Sequence, residues 1–348
     1  MAPFPSQLID PTTARVQVTP TVKFTCQPKV DANSPYFISL RVRTCEQSAG
    51  NVIQDAIRDT IKNCSIPGSK AQKAAVQRHT NPFGNLYGMM FSMSEQDRLA
   101  VAVKFIEFLC ILDDVMEELP YDQAIREHEI LCQTLNPTCE DFFVGSDLES
   151  TSECLDGMRI FLIGIRETVL SLGAEQGHIL LADLERTLRH RECAPADFAS
   201  LEDYIPYRII NLDWDFVCLL LRWSMNIDLN DAEAKLNFLN EFEYITGAVG
   251  GLCNDYYSWN REKKQYEDSD RIMNAIPVLM RQHSLSEIQA KSSLQNIIIK
   301  EANHLGELRN RMEEAGASES LKRYLSGLEH IAAGYMYWCS TCPRYYIF

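Results

Sequence analysis

The feature that most constrains this chain is an apolar run that ends in acid. Phe105-Ile106-Glu107-Phe108-Leu109-Cys110-Ile111-Leu112 leads straight into Asp113-Asp114-Val115-Met116-Glu117-Glu118, and Pro120 follows. The apolar part belongs in a core, where unpaired carboxylates are strongly disfavoured. On a helix, Asp113 and Glu117 stand four residues apart, about 40° around the axis, and project from one face. Two readings are open here. One is a solvated acidic helix end. The other is a site for a hard cation such as Mg²⁺, which takes one or two carboxylates and completes its shell with water or phosphate oxygens.

Composition narrows the setting. The 348 residues are 46% hydrophobic, which supplies a large core. The net charge is −15 and no Lys/Arg-rich block occurs, which excludes a nucleic-acid surface. An acidic chain that binds an anion needs metals or individually placed arginines. The twelve cysteines have no framework spacing, and Cys339-Ser-Thr-Cys342 is a lone pair without the second half of a zinc site. The N-terminus lacks the basic and apolar regions of a signal peptide, and no run of about 18 apolar residues occurs. A cytoplasmic protein without a membrane span is expected.

Along the chain, residues 1–35 carry six prolines and are expected to form an irregular strap or tail ahead of one domain, 36–348. Apolar spacings of three and four predict helices from near Ile38 through the fifties, from Ser94 to the acidic cluster, and over 122–133, 153–173, 175–190 and 201–224. Further helices are predicted over 231–249 and 252–265, split at Gly250-Gly251. Ser284-Leu-Ser-Glu287 reads as a capping box opening a helix to about Asn303, and a last helix runs from Ser318 to Trp338. No alternating strand pair and no repeat is visible. The expected fold class is all-α.

A second polar constellation is Gly250-Gly-Leu-Cys-Asn254-Asp255-Tyr-Tyr-Ser258-Trp-Asn-Arg261-Glu262. Asn254, Ser258 and Glu262 fall at i, i+4 and i+8, a drift of about 80° over two turns, so three oxygen donors share a face. Helical side chains lean toward the N-terminus, which lets the long Glu262 reach back toward its shorter neighbours. A second Mg²⁺ clamp and an ordinary polar helix face are both compatible with this spacing.

Together the two constellations resemble the class I terpene synthases, in which an aspartate-rich motif and an Asn-Ser-Glu motif face each other across a helical bundle around an apolar cavity. Asp113, Asp114 and Glu117 match the first motif, and Asn254, Ser258 and Glu262 match the second. Arg208 lies 46 residues before Asn254, at the place of the family's diphosphate-sensing arginine, and Arg344-Tyr345 matches its C-terminal pair. Arg261 fills the basic position before the final glutamate. Asn211 and Leu212 occupy positions where bacterial members have an acidic and a small residue. Trp338, six residues before Arg344, resembles the family's pocket tryptophan, and the Asn81-Pro-Phe-Gly-Asn85 segment is similar to one in fungal di- and sesterterpene cyclase domains.

The resemblance implies Mg²⁺-dependent ionisation of a linear prenyl diphosphate, then cyclisation and release of diphosphate. Three Mg²⁺ ions are implied, with Arg208, Arg344 and Tyr345 as catalytic groups and Asn211 and Arg261 as further substrate contacts. Geranylgeranyl diphosphate and a diterpene product are favoured over farnesyl diphosphate and a sesquiterpene; a non-catalytic helical scaffold is the alternative of another class. The cation formed requires a dry cavity with aromatic faces. Phe105, Phe108, Tyr87, Phe91, Trp214, Phe216 and Trp338 are the candidates. A homodimer is implied by resemblance alone. No fused prenyltransferase domain is expected after Tyr345, and protonation-initiated cyclisation is not, because Asp-x-Asp-Asp is lacking.

Overall fold

The computed structural model describes residues 36–45, 49–81, 83–116, 119–135, 153–191, 198–230, 233, 236–266 and 273–345. Residues 1–35, Glu117 and Glu118 lie outside this set, so the strap and part of the first acidic motif do too. Among the described residues there is no strand, and the expected all-α class is what the chain adopts. The helices are α1 (Ala49–Cys64), α2 (Lys70–Arg78), α3 (Leu86–Met90), α4 (Gln96–Met116), α5 (Tyr121–Leu135), α6 (Glu153–Leu172) and α7 (Ala174–Arg191). They continue with α8 (Leu201–Asn211), α9 (Trp214–Ser224), α10 (Asn237–Tyr266), α11 (Ala275–His283), α12 (Glu287–Glu314) and α13 (Glu319–Thr341), closed by a 3₁₀ turn over Pro343–Tyr345.

The central helix is α4, apolar on nearly every side. Thirteen of its residues are buried, because α1, α2, α6 and α9 pack around it. A helix covered on all faces carries its apolar residues all round, which is why Phe105–Leu112 reads as a continuous run. Opposite it, α10 packs on α8, α12 and α13.

Four sequence expectations are corrected. Residues 36–45 are not helical. Ile38, Leu40 and Val42 are buried while Ser39, Arg41 and Arg43 are exposed. That alternation has the period of two that belongs to extended chain. Phe37 packs edge-on against Tyr256 at 5.1 Å, laying this segment over α10. The helix predicted over 201–224 is broken into α8 and α9 at Asp213, whose φ of 54° is left-handed; aspartate tolerates this better than most residues. The capping box lies two residues further on. Ser284 ends α11 with a φ of 52°, and Ser286 with Gln289 opens α12.

The fourth correction is that 237–266 is one helix with no break at Gly250-Gly251. Glycine costs about 1 kcal/mol in a helix relative to alanine, so it needs a packing reason. A Cβ on Gly251 would stand 2.8 Å from Arg208 Cγ and 3.1 Å from a Leu212 methyl. One turn earlier, a Cβ on Gly247 would stand 2.6 Å from the Trp214 ring. The two glycines form a groove on α10 into which the α8–α9 junction presses. Gly247→Ala is expected to lower stability by about 1–3 kcal/mol, read from the denaturant midpoint, because the added methyl would displace the buried indole from its place on α10. A midpoint equal to that of the parent would mean that the junction is not held there.

Candidate active site

A cavity of about 430 Å³ opens among α2, α3, α4, α8, α9, α10 and α13. The helices sort its lining by depth. On α4, Ile106, Leu109 and Cys110 precede Asp113 and Asp114; on α13, Ile331 and Ala332 precede Tyr335 and Trp338. On α10, Gly250 precedes Asn254, Arg261 and Glu262, and after the α8–α9 break Trp214 and Val217 add to the apolar wall. The later turns therefore gather the polar groups at one end, and the earlier turns form an apolar interior.

Asp113 and Asp114 stand in the last turn of α4, where exposed carbonyls make the local potential negative and carboxylates are disfavoured. Compensation comes from arginines. Arg78 Nη2 donates to Asp114 Oδ2 at 3.1 Å, and Arg344 Nη2 is 3.8 Å from Asp114 Oδ1. Burial pushes the Asp114 carboxyl above its usual range, against the opposing pull of these two guanidinium groups.

The second constellation converges through α8. Arg208 Nε donates to Asp255 Oδ1 at 2.9 Å and Nη2 to Asn254 Oδ1 at 2.7 Å, while Nη1 donates to Asn211 Oδ1. Asn254 Nδ2 donates to the hydroxyls of Tyr335 and Tyr345, each at 3.0 Å. Asp255, fully buried, also accepts from the Tyr204 hydroxyl at 2.7 Å and the Ala275 N–H at 3.0 Å. Burial pushes the Asp255 carboxyl up to about 6, held back by Arg208 and Tyr204. Its ion pair with Arg208, at 2.9 Å, makes it the counter-ion of that guanidinium. Glu262 Oε2 accepts from Asn274 Nδ2 at 3.0 Å, which ties the far end of the motif to the segment after α10.

Arg208, Asn211, Asn254, Arg261, Glu262, Arg344, Tyr345, Trp338, Asp113 and Asp114 all line this one cavity. Ser258 does not reach its surface; it is 1% exposed, on the helix turn between Asn254 and Glu262. Of the seven aromatic candidates, Trp214 and Trp338 face the cavity. Tyr87, Phe91, Phe105, Phe108 and Phe216 are fully buried elsewhere. Phe105 and Phe108 each precede a lining residue by one position, which turns them about 100° away. Phe105 packs edge-on against Phe216 at 5.5 Å, and the Tyr87 hydroxyl donates to buried Glu107.

Among the described residues, no three His, Cys, Asp or Glu side chains cluster as metal ligands. The donor set of the second constellation is a carboxamide, a hydroxyl and a carboxylate, all hard oxygens suited to Mg²⁺. Ser258 Oγ is buried with no hydrogen-bond partner among the described residues. A buried hydroxyl without a partner is costly unless something else satisfies it, so the donor set fits a cation. The sequence reading missed Arg78, Tyr204, Tyr335 and Asn274. Nothing in the local patterns of Arg78, Tyr204 and Tyr335 marks them, since each acts through a contact between helices distant in sequence, while Asn274 is the N-cap of α11 and adds its bond to Glu262 to that local role.

This helical bundle has the fold of the class I terpene synthases. It superposes on aristolochene synthase from Penicillium roqueforti with a TM-score of 0.69 and 18% identity, covering 91% of this chain and 99% of that one. Residues 104–304 match terpene synthase family 2, C-terminal metal binding, and the chain belongs to that family. A sesterterpene synthase of Colletotrichum orbiculare is 25% identical over 327 residues, 91% of this chain and 44% of that protein. A bifunctional terpene synthase of Fusarium proliferatum is 28% identical over 273 residues, 76% of this chain and 35% of that protein. The chain spans less than half the length of these curated relatives. No helix among the described residues is long and apolar enough to cross a membrane.

Proposed function

We propose that this protein is a class I terpene cyclase that ionises a linear prenyl diphosphate and cyclises the resulting cation, with geranylgeranyl diphosphate as substrate and a diterpene as product. The observation that carries the reading is the convergence of Asp113-Asp114, Asn254-Glu262, Arg208 and Arg344-Tyr345 on the polar end of one cavity whose other end is apolar. Asp113, Asp114 and Glu117 on one side, and Asn254, Ser258 and Glu262 on the other, would hold three Mg²⁺ ions. Bound there, the metals supply Lewis-acid neutralisation of the departing diphosphate.

The chain's own groups do the rest. Arg208, Arg261, Arg344 and the Tyr345 hydroxyl donate hydrogen bonds to diphosphate oxygens, charge-assisted where the donor is a guanidinium. Asp255 and Asn211 hold the Arg208 fork so that little reorganisation accompanies the reaction. Leu86, Met90, Ile106 and Val217 exclude water that would capture the cation, and the ring faces of Trp214, Trp338 and Tyr335 stabilise positive charge.

The test is incubation of purified protein and Mg²⁺ with C10, C15, C20 and C25 diphosphates, products being read by gas chromatography with mass spectrometry. A cyclic C20 hydrocarbon with diphosphate release is expected. A C15 product would move the substrate to farnesyl diphosphate, a C25 product to the longer chain named for the sesterterpene relative, and elongated diphosphates would replace the cyclase reading altogether. Asp113→Ala is expected to abolish turnover with the helical content unchanged. Near-parental turnover would remove Asp113 from the metal site.

A further inference from the structure

Helix α2 carries no motif, yet it touches three of the residues that define the polar end of the cavity. Arg78 donates both terminal nitrogens to Asp114 Oδ2, at 3.1 and 3.4 Å. Its backbone carbonyl accepts the Trp338 indole N–H at 3.2 Å, and the Ala74 carbonyl, one turn earlier, accepts Arg344 Nη1 at 3.4 Å. The Arg78 side chain is only 5% exposed, and behind it stands a second, fully buried carboxylate. Glu107 Oε2 lies 3.7 Å from Arg78 Nε and 2.8 Å from His79 Nε2, and it accepts the Tyr87 hydroxyl.

The two arginines at Asp114 are held differently. Arg78 is held by its burial, by the 3.1 Å bond to Asp114 and by Trp338, which pins its peptide carbonyl, with the buried Glu107 carboxylate 3.7 Å behind it as a counter-charge. Among the described residues, Arg344 has one ion-pair contact at 3.8 Å and one hydrogen bond at 3.4 Å, both long. A planar guanidinium held from behind presents a rigid fork, whereas a loosely paired one exchanges partners at small cost. The metal motif thus has a fixed counter-ion and a transferable one.

Resting on the proposed diphosphate chemistry, we propose that Arg78 is a positioning residue. It keeps Asp114 Oδ2 in one orientation throughout the cycle, leaves Oδ1 facing the site, and so frees Arg344 to pass from Asp114 to an incoming diphosphate. Arg78 acts through Asp114 and does not itself bind substrate. The Glu107–His79–Tyr87 cluster is the anchor that makes the fork immobile.

The experiment uses Arg78→Lys, which keeps the charge beside Glu107 and removes the two-pronged donor. The first readout is independent of turnover: the rise in melting temperature when Mg²⁺ and inorganic diphosphate are added together. Arg78→Lys is expected to lose most of that rise, with kcat for prenyl diphosphate down about 10–100-fold and KM changed much less. Asp114→Asn, which leaves the Arg78–Glu107 pair intact, is expected to show the same losses, and the double variant no more than either single one.

A melting temperature lowered without ligands, beside undiminished stabilisation and kcat, would make the pair purely structural and overturn the proposal. Losses that multiply in the double variant would overturn it too, since Arg78 would then act independently of Asp114. If Arg78→Lys fails to fold, Arg78→Gln is measured in its place with the same readouts: loss of stabilisation and of kcat supports the proposal, and undiminished values overturn it. No stabilisation of the parent protein would sink the diphosphate reading itself. Stabilisation of the parent that the variants retain would sink only the role of Arg78.

Discussion

Asn254→Ala is expected to lower turnover by about 10²–10³-fold or more, the range seen when one preorganised polar group is removed from a charge-stabilising site. The carboxamide has two tasks. Its oxygen belongs to the proposed metal clamp and accepts Arg208 Nη2 at 2.7 Å, while its nitrogen bridges the hydroxyls of Tyr335 and Tyr345. Truncation releases Arg208 and Tyr345 together. Ser258→Ala is the control for mechanism. Its hydroxyl is buried without a hydrogen-bond partner among the described residues, so removing it should leave the melting temperature unchanged or slightly raised while turnover falls comparably. A Ser258→Ala enzyme with parental turnover would take Ser258 out of the clamp.

Asp255→Ala is expected to lower the unfolding free energy by about 1–3 kcal/mol, because it leaves the partly buried Arg208 without its charge partner and the buried Tyr204 hydroxyl without its acceptor. The carboxylate is fully buried and joins three elements: Arg208 and Tyr204 on α8, and the first N–H of α11. Turnover should fall with stability, since Arg208 would no longer be aimed at the cavity. Asp255→Asn separates the two effects. It retains an acceptor for Tyr204 or Ala275 and loses the charge, so a smaller stability loss with a persistent catalytic defect is expected. Urea unfolding and steady-state kinetics on the same preparations check both. A stability unchanged in Asp255→Ala would mean that the pair adds nothing to folding.

How much was visible beforehand depends on what each residue touches. The helices α5–α7 and α13 are legible because their apolar periodicity is local, and α4 because its continuous apolar run follows a first turn of Ser94-Glu-Gln-Asp. Asp113 with Glu117, and Asn254 with Ser258 and Glu262, are legible because helical spacing alone puts oxygen donors on one face, whereas Arg208 is legible only through the family resemblance. The extended segment 36–45 was misread from the same apolar residues, whose period of two was masked by the helix beyond. Gly250-Gly251 was read as a break because glycine's cost is local while its reason, the close approach of Arg208 and Leu212, is not. Arg78 shows the limit most clearly. It is one of 33 basic residues, and nothing in the sequence says which of them is buried between two carboxylates.

The sorting of the lining along α4 and α13 sets a depth gauge. From Ile106 to Asp113, and from Ile331 to Trp338, the chain advances seven residues, roughly 10 Å of helix. On the proposed function, a prenyl diphosphate seated with its anion among the arginines would have that distance before it met the floor. A linear chain of three or more isoprene units is longer than this. It has to double back, bringing distant double bonds beside the carbon that loses diphosphate. Ring closure would then be a consequence of how shallow the well is, and residues at its floor, such as Ile106 and Ile331, would decide where the chain turns.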